Sequence, residues 1–159
     1  MRKYRLNAGV VVFREDGKVL LCKRLGNYVR NWQFPQGGID DGEVAEDAAL
    51  RELMEETSIV SVKKIAAYPQ TIRYDFPDYV RAKNVQRGIF NDGQEQYWFL
   101  LFFEGKDSEI NLETKDPEFC DYQWIDIMKT PEMVVEFKHD VYTKIASYFS
   151  QVIEEYLNK

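Results

Sequence analysis

Three glutamates, Glu52, Glu55 and Glu56, stand close together in the stretch Gly37 to Ile59, GGIDDGEVAEDAALRELMEETSI. Two glycines and the turn Asp40-Asp41-Gly42 lead into a run of good helix formers, so a helix is expected from Glu43 or Val44 to near Ser58. At about 100° per residue the three acids fall within one arc of the helix, the i, i+3, i+4 relation of surface neighbours. Ala45, Ala48 and Ala49 share that arc, and Leu50, Leu53 and Met54 fall opposite, on the side expected to pack against a sheet. Like charges at this spacing cost a few tenths of a kcal/mol each in water, and about 4 kcal/mol for a close pair at an effective dielectric near 20. A hard divalent cation such as Mg²⁺ takes oxygen ligands and would remove that cost. A solvated acidic helix face is the bland alternative, but Arg51 beside the acids, Glu43 upstream and the glycine-rich entry favour the metal.

Those residues resemble the box of the Nudix hydrolases. The box reads Gly, five residues, Glu, seven residues, Arg-Glu, an aliphatic residue, any residue, Glu-Glu, any residue, Gly, aliphatic. Gly37, Glu43, Arg51, Glu52, Leu53, Glu55, Glu56 and Ile59 match it, and Ser58 stands where the box has glycine. A glycine there would serve a left-handed helix end, which another residue enters at a cost of about 1 kcal/mol. Further stretches look like one branch of the family: Tyr4 to Val10, Trp32 to Gly38, Tyr74 to Pro77, Gly93 to Gln96, Pro117 to Phe119, and Phe137-Lys138. That branch holds RNA pyrophosphohydrolases and dinucleoside tetraphosphate hydrolases. Two departures from it are the absence of a proline in the opening Tyr-Arg-x-Asn segment and Glu95 in place of a lysine near the expected phosphate path.

The resemblance implies an α/β/α sandwich with a mixed β-sheet, and hydrolysis of a phosphoanhydride with two or more Mg²⁺ ions, Mn²⁺ being able to substitute. Glu52, Glu55, Glu56 and a backbone carbonyl near Gly37 are the implied ligands. Glu118 is a further ligand or the general base, with Glu56 its rival for the base. Arg51 would pair with nearby carboxylates and orient them, and Glu43 would cap the helix or pair with Arg51. Arg5, Arg24 and Lys138 are cations suited to a polyphosphate, and Tyr74, Gln96 and Phe137 complete the implied substrate contacts. Phe137 could stack on a base or simply pack under the last helix. The leading expectation is conversion of the 5′ triphosphate end of RNA to a monophosphate. The alternatives are asymmetric cleavage of dinucleoside tetraphosphates and a non-catalytic nucleotide-binding module.

The rest of the chain must position these groups. Its 159 residues suit a single domain spanning 1–159. Asn7 to Phe13 and Lys18 to Arg24 are strand-like and flank Glu15-Asp16-Gly17, a hairpin signal. Val60 to Tyr68 reads as a strand, Gln70 to Asp92 as mostly loop with one short strand, and Glu95 to Phe103 as a central strand. Asp121 to Asp126 reads as another strand, followed by a short helix around Pro131 to Val135. Val141, Ile145, Tyr148, Phe149, Val152, Ile153 and Tyr156 recur at helical spacing, with Asp140 as the expected cap. Trp32, Phe34 and Trp98 are expected in the core.

Composition excludes several classes. Two cysteines, Cys22 and Cys120, are too few for a zinc cluster or disulfide framework, and free core thiols are expected. The one histidine, His139, leaves no Ser-His or Cys-His pair to build elsewhere. A net charge of −6 argues against a long grip on nucleic acid, so no DNA partner is expected, although a hold on one strand end is compatible with it. No apolar run reaches membrane-span length and the Met1-Arg2-Lys3-Tyr4 start lacks an apolar signal segment, so a soluble cytoplasmic protein is expected. Oligomeric state is not legible in the sequence.

Overall fold

A computed structural model describes residues 1–26 and 29–159. The expected hairpin forms from β1 (Tyr4–Phe13) and β2 (Val19–Arg24), which pair antiparallel at Phe13↔Val19. Its turn is tightened by Gly17 at φ 83° and by the Asp16 carboxylate, which accepts a hydrogen bond from the Lys18 amide. Short strands β3 (Trp32–Gln33) and β4 (Gln36–Gly38) follow, then α1 (Ala45–Thr57), β5 (Val62–Ala67), β6 (Ile72–Asp75) and α2 (Asp78–Gln86). The chain continues through β7 (Gly93–Phe103) and β8 (Phe119–Ile125) to α3 (His139–Leu157). No helix among the described residues is long and apolar enough to cross a membrane.

The eight strands make one mixed sheet. β7 runs parallel to β1 in unbroken register from Tyr4↔Gly93 to Phe13↔Phe102, and also carries β5 and β6 antiparallel, which makes it central as its composition indicates. Successive side chains on a strand face opposite ways. On β1, Ala8, Val10 and Val12 accordingly join a core under α1, while Val11 and Phe13 join a second core under α3. Phe99 and Leu101 of β7 go to the first core, and Trp98 and Leu100 to the second. This is the α/β/α sandwich expected, with Phe34 and Trp98 fully inside it and Trp32 packed on its edge.

Four expectations are corrected. The packing face of α1 carries Ala48, Ala49, Leu53 and Glu56, while Leu50 and Met54 stay 37% and 45% exposed. The alanines therefore do not flank a solvated acidic face; they let the helix approach the sheet closely and carry Glu56 down with it. The segment read as loop holds α2, a helix with no buried residue, so no apolar period announces it. The helical turns near Pro131 are 3₁₀ turns at Ile127–Glu132 and Glu136–Lys138. At the start of α3, Lys138 occupies the cap position without a side-chain cap bond, and Asp140 sits inside the first turn, where its charge still favours the helix dipole. Of the two free cysteines, Cys22 is buried as expected and Cys120 is exposed.

Ser58 ends α1 in the left-handed conformation, φ 69°, with its amide donating to the Met54 carbonyl and its hydroxyl to the Asn111 carbonyl at 2.9 Å. Comparing Ser58→Gly with Ser58→Ala removes the hydroxyl from both variants and isolates the backbone. Urea unfolding should find the glycine variant more stable than the alanine variant by about 1 kcal/mol.

Candidate active site

The buried face of α1 leans on β4, and this contact builds the site. A side chain at Gly37 would collide with the Glu52 carboxylate, and one at Gly38 would collide with the Arg5 guanidinium. β4 is held in place by antiparallel pairing to β1, Asn7↔Gly38 and Ala8↔Gly37. One dipeptide therefore has an acid on one side and a base on the other.

Arg51 organises the acids from beneath. Its Nε donates to Glu43 Oε2 at 2.8 Å and its Nη2 to Glu43 Oε1 at 2.9 Å, a bidentate clasp. Nη1 donates to Glu52 at 2.8 Å and to Glu55 at 3.2 Å, and Nη2 also reaches the Gly38 carbonyl at 2.9 Å. Glu43 accepts the Asp40 amide as well, so it pairs with Arg51 and closes the entry turn and does not cap the helix. The Arg51 guanidinium first, then the Asp40 amide, holds the Glu43 carboxyl down to about 2.

Glu52, Glu56, Glu118, Gly37, Arg5, Arg24 and Lys138, all singled out from sequence, line one cleft of about 320 Å³. Glu56 is 5% exposed. Burial, the hydrogen bond to Glu52, and the charges of Glu52 and then Glu118 push its carboxyl up to about 10. Lys138 is equally enclosed, with Nζ 3.5 Å from Gln33 Oε1; burial, then the Arg24 charge, lowers its ammonium to about 8, while Glu56 opposes that shift. Acids and cations thus share one enclosed space, where charge is weakly screened.

The remaining residues fall elsewhere. Glu55 is half exposed and held by Arg51, outside the cleft lining. Tyr74 is a core residue, 9% exposed, whose ring lies 5.9 Å from that of Phe137. Phe137 lines a neighbouring groove, outside the acidic cleft. Gln96 is 2% exposed and lies behind the cleft wall. Glu95 is also off the cleft: its carboxylate pairs with Arg73, whose guanidinium covers the Tyr4 ring at 4.8 Å.

Sequence reading passed over the amides Asn7, Gln33, Gln36 and Gln94 in the cleft lining. Gln96 Nε2 donates to Asn7 Oδ1 at 3.0 Å, to Gln36 Oε1 at 3.1 Å and to Gln94 Oε1 at 3.5 Å, and the Tyr74 hydroxyl donates to Gln94 Oε1 at 2.6 Å. With their oxygens so engaged, Gln36 and Gln94 keep their NH₂ groups for the cleft. The available signal was the alternation on β7, which puts Gln94 and Gln96 on one face, the first nearer the rim.

Among the described residues no three acidic, histidine or cysteine side chains stand close enough together to hold an ion. The donor set nevertheless fits a hard divalent cation: Glu52, Glu56 and Glu118 are all oxygen donors bordering one cleft, and Gly37 leaves its backbone open against the Glu52 carboxylate. A mixed sheet thus lies between helices, and carboxylates and cations line one cleft beside it. The chain belongs to the Nudix hydrolase family, since residues 3–145 match the family described as NUDIX domain. It is 40% identical over 149 residues to an RNA pyrophosphohydrolase of Pelagibacter ubique, covering 94% of this chain and 93% of that one. It is 44% identical to an RNA pyrophosphohydrolase of Caulobacter vibrioides, over 92% of this chain and 86% of that one. Among solved structures, an Ap4A hydrolase of C. elegans in a binary complex superposes with a TM-score of 0.67 at 19% identity, over 97% of this chain and 98% of that one, a likeness of fold.

Two outcomes test this geometry. Arg51→Lys keeps the charge and loses the fork; the metal concentration giving half-maximal hydrolysis should rise about 10- to 100-fold, read from Mg²⁺ titrations of activity. Gln96→Met releases Gln36, while Tyr74 still holds Gln94; steady-state kinetics should show KM raised about tenfold with kcat changed far less, the loss of one charge-assisted hydrogen bond to the substrate.

Proposed function

We propose that this protein hydrolyses a phosphoanhydride at the 5′ triphosphate end of RNA, releasing pyrophosphate or successive phosphates and leaving a 5′ monophosphate. The observation that carries this reading is that Glu52, Glu56 and Glu118 line one cleft together with Arg5, Arg24 and Lys138. The names of the relatives at 40% to 44% identity support RNA as the substrate. Cytoplasmic residence, as the sequence suggests, belongs to the same reading.

Glu52, Glu55, Glu56, Glu118 and the Gly37 carbonyl would hold two or more Mg²⁺ ions, with Mn²⁺ able to substitute. Bound there, the ions supply charge that offsets the phosphates and eases deprotonation of the attacking water. Arg5 and Lys138 hold the polyphosphate within the same cleft, Arg24 joins them at the boundary with the next groove, and the NH₂ groups of Gln36 and Gln94 add donors that carry no charge. Arg51 touches no substrate and keeps Glu52 and Glu55 in place. Glu118 or Glu56 takes the proton from water, since both border the space the water must occupy. Phe137 offers its ring to the first base from the adjoining groove.

Incubation with Mg²⁺ and either triphosphorylated RNA or a dinucleoside tetraphosphate decides the substrate. Faster turnover of the RNA, yielding monophosphorylated RNA, is the expected result; a strong preference for the dinucleotide overturns it. Glu56→Gln and Glu118→Gln should each lower kcat by about 10²- to 10⁴-fold. Excess Mg²⁺ should rescue the variant that lost only a ligand and leave the variant that lost the base inactive. Unchanged hydrolysis in both variants would remove the site from this cleft.

A further inference from the structure

Beside the acidic cleft runs a second groove, of about 200 Å³, bounded on its outer side by α2. The two spaces share Arg24 and Gln33 as walls and so lie side by side. Among the described residues no acidic residue lines this groove, although the protein carries a net charge of −6. Its cations are Arg24, Arg30, Lys83 and Arg87. Arg30 is committed elsewhere, donating to the Pro131 carbonyl at 2.8 Å and lying 3.7 Å from Glu136. Lys83 and Arg87 are exposed, and no described residue forms an ion pair with either.

The helix that carries them has little structural occupation. α2 buries no residue and contributes nothing to either core. Tyr79 and Lys83 of α2 and Arg87 at its C-terminal cap recur every four residues, one row along the helix and its end, and all three line the groove. Asp78 at the start of the same helix pairs with Arg81, which also reaches Asp92.

We propose that Lys83 of α2 and Arg87 just past its end hold the backbone phosphates of single-stranded RNA downstream of the 5′ nucleotide, making the groove a track along which the chain leaves the cleft. The inference rests on the RNA reading above. Continuity with the cleft fixes the direction of the track, and the absence of lining acids fixes the sign of the ligand. Tyr79 adds a ring at the start of the row, a sequence-tolerant surface for a base. An RNA too short to reach the row gains nothing from it, so the track favours longer RNA by binding and leaves the chemical step alone.

The test compares a triphosphorylated dinucleotide with a triphosphorylated oligonucleotide of about eight residues, in the wild type and in the double variant Lys83→Gln/Arg87→Gln. Thermal unfolding confirms that the variant is folded. The ratio of KM for the long RNA to KM for the short one should rise about tenfold in the variant at low salt. The salt dependence of KM for the long RNA should flatten by about 0.7 per cation lost, measured as the slope of log KM against log salt. An unchanged ratio and slope would overturn the track and leave the RNA reading standing. Failure of the wild type to hydrolyse either RNA would overturn the reading, and the track with it.

Discussion

The structure depends on an electrostatic constraint: Glu52 and Glu56, one helical turn apart, are pressed together where water is scarce. Glu56 is carried inward because α1 packs through Ala48 and Ala49, and larger side chains at those positions would lift the helix off the sheet. The repulsion that results is contained from several directions. Arg51 neutralises the exposed side of Glu52, the hydrogen bond between Glu52 and Glu56 raises the carboxyl of the latter, and Lys138 faces Glu56 across the cleft. A fold that accepts this arrangement keeps stored electrostatic potential at one point, and a divalent cation is the ligand best able to exploit it.

That point is served by two very different parts of the molecule. The sheet and the helices α1 and α3 enclose two dense cores, and their positions follow from apolar side chains alternating on β1 and β7. α2 belongs to neither core, and Arg81 midway along it is tied to Asp92, just ahead of β7. Rigid chemistry at the centre is thus bordered by a loosely anchored cationic wall.

Much of this was legible in the sequence because apolar periodicity reports burial. The β1–β2 hairpin, the run from Gly93 to Phe103 and the stripe of α3 are each held by side chains that face a core. Glu52, Glu56 and Glu118 were legible for another reason, the resemblance of their surroundings to a known box. α2 was missed because a helix with no buried face writes no period. The amide network was missed because Asn7, Gln36, Gln94 and Gln96 carry neither charge nor hydrophobicity, and only their mutual geometry gives them a role. The packing face of α1 was misread since hydrophobicity favoured Leu50 and Met54, whereas steric fit selected the alanines.

The two glycines of β4 have a wider meaning. Gly37 abuts the Glu52 carboxylate and Gly38 the Arg5 guanidinium, and their Cα atoms, as neighbours along the chain, are only about 3.8 Å apart. Because the dipeptide is locked into the β1 ladder, the opposite poles of the pocket are spaced by covalent bonds and not by the settling of loops. The field that a polyphosphate meets on arrival is therefore ready-made, and alignment of the incoming anion needs no rearrangement of the scaffold.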